Sequence, residues 1–384
     1  MRVMFTSTPF GSHTLPMLPL AHALRAAGHE VIVVGQPDVA DTAKAAGLCA
    51  APIGDRFHGE DAVRLTLTDG KRPLQVAGPP SDGPPQVGLW FIHAGYYLTR
   101  YLEFARAWRP DLIVSEQVEL AGCIIAGVLG VPSVLHRWGV DPLSGPARQI
   151  AGSLMHTTCV RLGLDGLPEP TAVLDPCPPP LQVPGIPAGL PIRPVPFNGV
   201  GQVPGWRTER RADRRICVSL GGSTLSLNGV PLLRSIVDAC GQVDDTEVLV
   251  TVAPEFTEEL GPVPKSVRVV PPTPLNLFLD TCDAVVHHGG AGSTLTSLYY
   301  GLPQLVLPQL PYLHIAAERI AATEAGISVP LAEEQDDPAA VHAALTRLLE
   351  DPRHTKAAAG LRDTIAAMPT PAAVVRDLVA LAGG

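Results

Sequence analysis

The sequence is poor in aromatic and charged side chains. Aromatic residues make up 5% of its 384 residues and charged residues 17%, whereas hydrophobic residues reach 46%. The formal net charge is −9. A nucleic-acid-binding protein would present a basic surface, so we expect no nucleic-acid partner. High apolar content with little charge instead predicts large buried cores.

Cysteine and long hydrophobic runs are also scarce. The seven cysteines are scattered and include no CxxC pair, which argues against a zinc site or a disulfide framework. We expect them to be small core residues in a reducing cytoplasm. No eighteen apolar residues follow one another, so no membrane span is predicted. The apolar run from Met1 to Phe5 is too short for a signal peptide.

Two common phosphate-binding motifs are missing as well. The only Gly-Lys pair, Gly70-Lys71, is followed by Arg72, whereas a Walker loop needs Ser or Thr there. The glycines at 290 and 292 lack the third glycine of a dinucleotide fingerprint, because Leu295 occupies its position. Any phosphate site in this chain must therefore be of another kind.

Strand and helix patterns alternate along the chain. An apolar run at 2–6, a helical pattern at 15–27 and a second apolar run at 31–34 predict a β-α-β unit in a parallel sheet. The proline-rich segment 163–206 cannot form a regular helix or a central strand, and we predict extended chain there. The alternation restarts at Arg215. These patterns predict an α/β protein of two domains.

One stretch, Asp283 to Gly326, has the composition of an anion site. The centre of this stretch is Val286-His287-His288-Gly289-Gly290-Ala291-Gly292-Ser293-Thr294. It follows a short apolar strand and precedes a helix predicted from 295 to 300. Unpaired N–H groups and the dipole at the start of a helix favour a phosphate, and glycines let it approach closely. From these residues alone, a tight turn without a ligand is the alternative.

Three segments of the chain resemble one known family. They are Phe10-Gly11-Ser12-His13-Thr14-Leu15-Pro16 with Ala21 to Val31, Arg109-Pro110-Asp111 through Pro132-Ser133-Val134, and Cys282-Asp283 through Ala317-Glu318-Arg319. Their order and spacing are similar to those of the GT-B glycosyltransferases of antibiotic biosynthesis. These actinobacterial family 1 enzymes attach deoxysugars to polyketide and macrolide aglycones. The resemblance covers nearly the whole chain and is weak at about 52–90 and 141–212.

The resemblance implies a GT-B fold, in which two Rossmann-like parallel-sheet domains face a cleft. We expect the acceptor-binding domain at residues 1–200 and a linker at 201–213. The nucleotide-sugar domain is expected at 214–365, and a last helix at 366–384 is expected to cross back to the first domain.

For catalysis, the resemblance implies that His13 takes the proton from the acceptor. At a helix start the dipole disfavours an imidazolium, which leaves a neutral ring able to accept a proton. The family position for its carboxylate partner, usually aspartate, falls on Glu116. Trp138 and Asp141 are expected in the acceptor pocket, where Asp141 would orient the acceptor or act as a base. The alternatives are a capping or packing role for His13 and a turn role for Asp141 before Pro142.

For the sugar donor, the resemblance implies a set of diphosphate contacts: Gly222, Ser223, Thr224, His288, Gly290, Gly292 and Ser293. The family commonly has Asp-Gln where this chain has Tyr312 and Leu313. A sugar hydroxyl facing Leu313 would lose pairing worth about 1–3 kcal/mol, so we expect a deoxysugar with few hydroxyls. The residues Pro272-Thr273-Pro274 replace the aromatic residue that usually packs on the base. We therefore expect dTDP only because it carries such sugars in these pathways.

The resemblance, together with these residues, implies an inverting, metal-independent glycosyltransferase without a cofactor. It would move a deoxysugar from a dTDP-sugar to a hydrophobic polyketide-type acceptor, and the missing DxD motif agrees with metal independence. A hydrolysing or epimerising relative is disfavoured by the first and third motifs. The other alternative is an idle homologue that binds sugar nucleotide and assists a partner transferase. Loss of the Asp-Gln pair favours it, whereas His13 and the intact 288–293 loop argue against it. The O-, N- or C-linkage stays open, and a homodimer is one open option for the assembly.

Overall fold

The protein is described by a computed structural model that forms two parallel β-sheets with helices packed on their faces. The structure describes residues 1–64, 67, 71–77 and 88–383. The segment 52–90, where the resemblance is weak, therefore lies partly outside the described residues. Both sheets have the strand order of a doubly wound fold, in which the chain reverses direction across the sheet at its first strand.

The first sheet contains seven parallel strands in the order β3-β2-β1-β4-β5-β6-β7. Their bounds are β1 (Arg2–Thr6), β2 (Glu30–Gly35), β3 (Ala50–Pro52), β4 (Leu112–Glu116), β5 (Ser133–His136), β6 (Ala172–Asp175) and β7 (Leu190–Pro191). In the centre, Thr6 pairs with Val34 on one side and with Ser115 on the other. The reversal thus lies between β1 and β4.

The second sheet contains six parallel strands in the order β10-β9-β8-β11-β12-β13. Their bounds are β8 (Arg214–Ser219), β9 (Thr246–Thr251), β10 (Val267–Val270), β11 (Ala284–His287), β12 (Gln304–Val306) and β13 (Gly326–Ser328). Val286 of β11 pairs with Val218 of β8 and with Leu305 of β12. The predicted fold class, two parallel-sheet α/β domains, is confirmed.

Helices connect the strands and cover the sheets. The helices of the first half are α1 (Gly11–Thr14), α2 (Leu18–Ala26), α3 (Pro37–Ala45), α4 (Gly59–Arg64), α5 (Pro73–Ala77), α6 (Gly88–Trp108), α7 (Ala121–Leu129), α8 (Ser144–Leu154) and α9 (His156–Arg161). Those of the second half are α10 (Gly222–Asn228), α11 (Val230–Cys240), α12 (Pro254–Leu260), α13 (Ala291–Tyr299), α14 (Pro311–Ala322), α15 (Ala332–Asp336), α16 (Pro338–Glu350), α17 (Pro352–Ala367) and α18 (Pro371–Leu381).

Side chains that alternate along β1 build two separate cores. Val3 and Phe5 face the core beneath α2, whereas Met4 faces the core beneath α6 and α7. The last helix, α18, joins the first of these cores, because its Val374 and Leu378 are buried there. The C-terminal helix therefore lies against the N-terminal sheet.

Two local predictions were wrong. The proline-rich segment does contain a central strand, because the prolines flank Ala172–Asp175 and do not interrupt it. The helical pattern at 15–27 does not form one helix: α1 begins earlier, at Gly11, a 3-10 turn covers Leu15–Met17, and α2 follows from Leu18 to Ala26.

Within the described residues, no single helix is long and apolar enough to cross a membrane. The pair α17 and α18 meets the criteria of length and composition only when taken together, with a bend of 45° between them.

Candidate functional site

The predicted site residues gather at the points where the two sheets reverse their strand order. In the first sheet, Glu116 ends β4 beside the end of β1; in the second, His287 ends β11 beside Ser219 of β8. Open α/β sheets bind ligands in the crevice at such points. The two crevices adjoin, because a Cβ added to Gly139, after β5, would lie 3.4 Å from Cβ of Ala291 in α13.

His13 lies in α1 and reaches the end of β4 through an intervening hydroxyl. Its side chain is 11% exposed, and its Nδ1 is 3.8 Å from Oε1 of Glu116. Thr8 Oγ1 lies between them, 2.6 Å from His13 Nδ1 and 2.6 Å from Glu116 Oε1. The structure thus brings the predicted pair together, with Thr8 as a link that the sequence analysis missed.

The Glu116 carboxylate is fully buried and well supplied with donors. Oε1 accepts from the Thr8 hydroxyl and, at 3.2 Å, from the Thr8 N–H, while Oε2 accepts from the Val118 N–H at 2.9 Å. Burial acts to raise the pKa of Glu116, but the nearby His13 ring and the Thr8 and Val118 donors outweigh it and lower the pKa. The carboxylate is therefore ionised at neutral pH.

Aromatic rings surround His13. Its ring centroid is 3.9 Å from that of Trp138, 5.1 Å from Phe10 and 5.5 Å from Trp90. In a chain with few aromatic residues, two of the four tryptophans lie at one histidine. Trp138 was predicted in the acceptor pocket; Phe10 and Trp90 were missed, because nothing in their spacing links them to His13. Packed rings hold the imidazole in one orientation and form an apolar wall beside it.

The Asp141 carboxylate accepts hydrogen bonds from neighbouring groups of the protein. Its side chain is fully buried and accepts from five donors: Gln117 Nε2, Arg137 Nε, Leu143 N–H, Ser144 N–H and Ser144 Oγ. These bonds organise the turn that leads into α8. The geometry therefore favours the turn role over a contact with the acceptor.

His288 lies between the two loops that were predicted to face the donor. A Cβ added to Gly221 would lie 3.0 Å from its Cε1, and a Cβ added to Gly290 would lie 2.5 Å from its Nε2. Burial lowers the pKa of His288 to about 4. Its Nδ1 is buried without a partner among the described residues, whereas the ring is partly exposed. The ring is therefore neutral at pH 7.

Helix α13 begins at the glycine-rich turn, four residues before its predicted start. Gly290 is the N-cap in an extended conformation, with no side-chain cap from the described residues. The N–H groups of Gly292 and Ser293 thus belong to the first turn, which has no internal acceptors. His287 shapes the turn from inside: it accepts from Gly289 N–H at 3.0 Å, and its Nε2 lies 2.7 Å from Gln304 Oε1.

The other predicted donor contacts lie at the starts of two further helices. Gly222 and Thr224 belong to the first turn of α10, directly after Gly221, which approaches His288. Ser223 is in the same turn, but its side chain lies outside what the structure describes. Tyr312 and Leu313 start α14. Leu313 is 7% exposed and packs under Gly289, whereas Tyr312 is 36% exposed. Of this pair, Tyr312 is the residue available to a ligand.

Asn198 lies in the chain that leads from β7 to β8 and forms hydrogen bonds with two residues of the C-terminal domain. Its Oδ1 accepts from Thr296 Oγ1 and from Asn276 N–H, both at 3.1 Å. Its N–H donates back to Asn276 Oδ1 at 3.1 Å. The chain between the two domains is therefore hydrogen-bonded to α13 and to the segment before β11, a link that no sequence pattern indicates.

Comparison with known proteins agrees with this arrangement. The family described as erythromycin biosynthesis protein CIII-like matches residues 22–76 and 89–221 with its N-terminal domain and residues 234–381 with its C-terminal domain. The chain belongs to this family. The relatives that match this chain are deoxysugar glycosyltransferases of macrolide and polyketide antibiotic pathways. This chain is an enzyme of the same kind.

Individual relatives match over almost their whole length. The L-demethylnoviosyl transferase of Streptomyces niveus is 36% identical over 99% of this chain and 98% of its own. The 10-deoxymethynolide desosaminyltransferase of Streptomyces venezuelae is 32% identical over 100% and 97%. The solved spinosyn rhamnosyltransferase SpnG is 38% identical, with a TM-score of 0.85, over 99% of this chain and 100% of its own. SpnG is also known in complexes with thymidine diphosphate and with spinosyn aglycone.

Proposed function

We propose that this family member transfers a deoxysugar from a dTDP-sugar to a hydroxyl of a hydrophobic, polyketide-type acceptor, with inversion at the sugar carbon. This proposal rests on one observation. His13, which is linked to Glu116 through Thr8, and the glycine-rich start of α13 face the same crevice. One side offers a base and the other an anion site, which are the two groups that glycosyl transfer to a diphosphate leaving group requires.

The proposed step moves one proton and exchanges one bond. His13 Nε2 takes the proton of the acceptor hydroxyl while the acceptor oxygen forms a bond to the anomeric carbon. The bond from that carbon to the diphosphate oxygen breaks, and its electron pair leaves with dTDP. Attack from the His13 side, opposite the α13 side, would invert the configuration.

On the donor side, we propose that α13 and His288 stabilise the diphosphate without a metal ion. The N–H groups at the helix start and the positive end of its dipole suit a phosphate, and a neutral His288 ring can donate one further hydrogen bond. The charge of the leaving group would be met by the helix start and the ring.

The acceptor and the sugar are proposed from the surfaces next to these groups. The rings of Phe10, Trp90 and Trp138 favour a flat, apolar acceptor held against His13. The exposed Tyr312, where the family commonly has an acid, favours a sugar with few hydroxyls. Thymidine diphosphate is bound by the relatives SpnG and VinC, which supports dTDP as the carrier.

An assay of the purified protein with dTDP-deoxysugars and a panel of polyketide aglycones tests this proposal. We expect release of dTDP in step with a product whose mass is the aglycone plus one deoxysugar residue. Binding of every donor without any turnover would support the idle homologue instead. Turnover with water as the acceptor, giving free sugar, would point to a hydrolase.

A further inference from the structure

We propose that Thr8 is a positioning residue that fixes the tautomer of His13. The Thr8 side chain is fully buried at the end of β1, and its hydroxyl is the atom that joins His13 to Glu116. The catalytic consequence rests on the proposed function, whereas the tautomer itself does not.

Geometry excludes a direct pair. His13 Nδ1 is 3.8 Å from Glu116 Oε1, beyond hydrogen-bond distance. Glu116 cannot simply close this gap, because both its oxygens are already held by N–H groups of the main chain, at Thr8 and Val118. The hydroxyl of Thr8 fills the gap with two contacts of 2.6 Å. The link between base and carboxylate therefore has three members.

Counting protons sets the direction of each hydrogen bond. Thr8 has a single hydroxyl proton, and Glu116 is ionised, so the carboxylate can only accept. If the hydroxyl proton pointed at His13, the Thr8 oxygen and a Glu116 oxygen would face each other 2.6 Å apart with no proton between them. The hydroxyl must therefore donate to Glu116. It follows that His13 Nδ1 bears a proton and donates to Thr8 Oγ1.

This direction leaves the lone pair of His13 on Nε2, the only ring nitrogen not involved in the link. When Nε2 takes the acceptor proton, Nδ1 keeps its own proton and its bond to Thr8. The Glu116 charge, conveyed by the hydroxyl, stabilises the imidazolium that forms, and Glu116 itself stays ionised. Without the hydroxyl, Nδ1–H would lose its acceptor, and the opposite tautomer would place a proton on Nε2.

The tautomer can be measured directly by NMR of protein with nitrogen-15-labelled histidine. The ring-nitrogen shifts distinguish Nδ1–H from Nε2–H, and the His13 signals are identified as those missing from His13→Gln. We expect the neutral ring of the wild-type protein to carry its proton on Nδ1. An Nε2–H ring in the wild-type protein would overturn the proposal, whatever the activity of the protein turns out to be.

Variants then test whether the hydroxyl is the cause. Thr8→Val keeps the shape and removes the hydroxyl, Thr8→Ser keeps the hydroxyl, and Ser7→Ala removes a neighbouring buried hydroxyl outside the link. We expect Thr8→Val to lower kcat by about 10- to 100-fold with little change in the dTDP dissociation constant, because a wrong tautomer impairs a base but not the donor site. Thr8→Ser and Ser7→Ala should stay within about threefold of wild type.

The same variants are compared by NMR. Thr8→Val should lose the pure Nδ1–H signature, and Thr8→Ser should keep it. Wild-type kcat and an unchanged tautomer in Thr8→Val would contradict the proposal, as would a loss in Thr8→Ser equal to that in Thr8→Val. If the wild-type protein transfers no sugar, the proposed function fails, but the NMR comparison still decides the role of Thr8.

Discussion

A histidine acts as a base through a ring nitrogen with a free lone pair, and its neighbours decide which nitrogen that is. In this enzyme the decision depends on the short Thr8–Glu116 contact at the end of the first sheet. A second histidine, His288, faces the other side of the crevice and is kept neutral by burial. The two histidines therefore have separable roles that single substitutions can test.

His13→Ala should lower kcat by about 10²-fold or more, because the acceptor hydroxyl loses its base. The dissociation constant of dTDP should stay within about twofold of wild type, since His13 lies on the acceptor side. Steady-state kinetics and calorimetry measure the two quantities, with His22→Ala, an exposed histidine of α2, as the control. Normal turnover combined with weaker dTDP binding would assign His13 to the donor site instead.

His288→Ala should have the opposite pattern at the binding step. A hydrogen bond to a charged phosphate is worth about 1.5–3 kcal/mol, so the dTDP dissociation constant should rise by about 10- to 100-fold. Calorimetric titration with dTDP measures this directly, and His22→Ala again serves as the control. If the variant binds dTDP as tightly as the wild type, the anion site does not include this ring.

Glu119 provides a prediction about pH and stability. Its carboxyl is buried, Oε1 accepts from the Ala121 N–H at 2.7 Å, and Oε2 lies 4.0 Å from His93 Nδ1 without a hydrogen bond from the described residues. Burial, with a smaller effect of the nearby Glu116 charge, raises the pKa of Glu119 to about 8. The folded protein therefore holds a proton that the unfolded chain releases above about pH 4.5. The stability from this group is complete below that pH and is lost as the pH rises through about 8.

The side chain introduced by Glu119→Gln cannot ionise, so this variant should not lose the stability that the wild type loses as the pH rises. Urea unfolding of wild type and variant at pH 5 and pH 9 measures the difference. We expect the difference in the free energy of unfolding, variant minus wild type, to be about 1–3 kcal/mol larger at pH 9 than at pH 5. A constant difference in the free energy of unfolding at both pH values would show that Glu119 does not titrate in this range.

At the residue scale, the sequence predicted the ends of the catalytic link but not its middle. His13 and Glu116 follow from a motif and a strand end, whereas a lone Thr8 before a loop has no distinctive pattern. Its role depends on contact with a residue 108 positions away, which only the packed sheet provides. The same is true of Phe10 and Trp90, which meet His13 through tertiary packing.

At the scale of elements, the decisive feature is where helices begin. Helix α13 starts at Ala291, four residues before the start that its apolar pattern indicates, and the short helix α10 starts at Gly222, where no helix was predicted. Glycine and serine are weak helix formers, so a pattern based on apolar periodicity places the start too late. The consequence is functional: the glycines lie inside the first turns, where their N–H groups are free for a ligand.

Gly290→Ala tests how closely the turn is fitted to His288. The backbone φ of Gly290 is −61°, which any residue can adopt, so the effect must come from contact. A Cβ there would lie 2.5 Å from His288 Nε2, and the ring would have to move. We expect the dTDP dissociation constant to rise by about tenfold or more, as for loss of the His288 hydrogen bond.

The matched control is Gly152→Ala in α8, where an added Cβ meets nothing within 4 Å. That change should leave dTDP binding unaltered and stabilise the helix by up to about 1 kcal/mol. Equal dTDP affinity in Gly290→Ala and Gly152→Ala would mean that the ring does not have to occupy its present position for the donor to bind.

For the whole molecule, the alternation of strands and helices was enough to predict two parallel sheets, and the resemblance added the cleft between them. The contacts that join the N-terminal and C-terminal domains could not be predicted. Arg72, before α5, is buried and pairs with Asp336 of α15 at 2.7 Å, although 264 residues separate them. Such pairs depend on the docking of two finished domains, and no local pattern encodes them.

We propose that the two crevices form one active site, in which His13 delivers an acceptor to a sugar whose diphosphate lies on α13. The anomeric configuration of the product tests this, determined by NMR after reaction of a dTDP-deoxysugar with a polyketide aglycone in excess chelator. We expect a glycoside with the configuration opposite to that of the donor, formed at the same rate with and without chelator. A product that retains the donor configuration, or a reaction that stops when divalent ions are removed, would contradict the proposal.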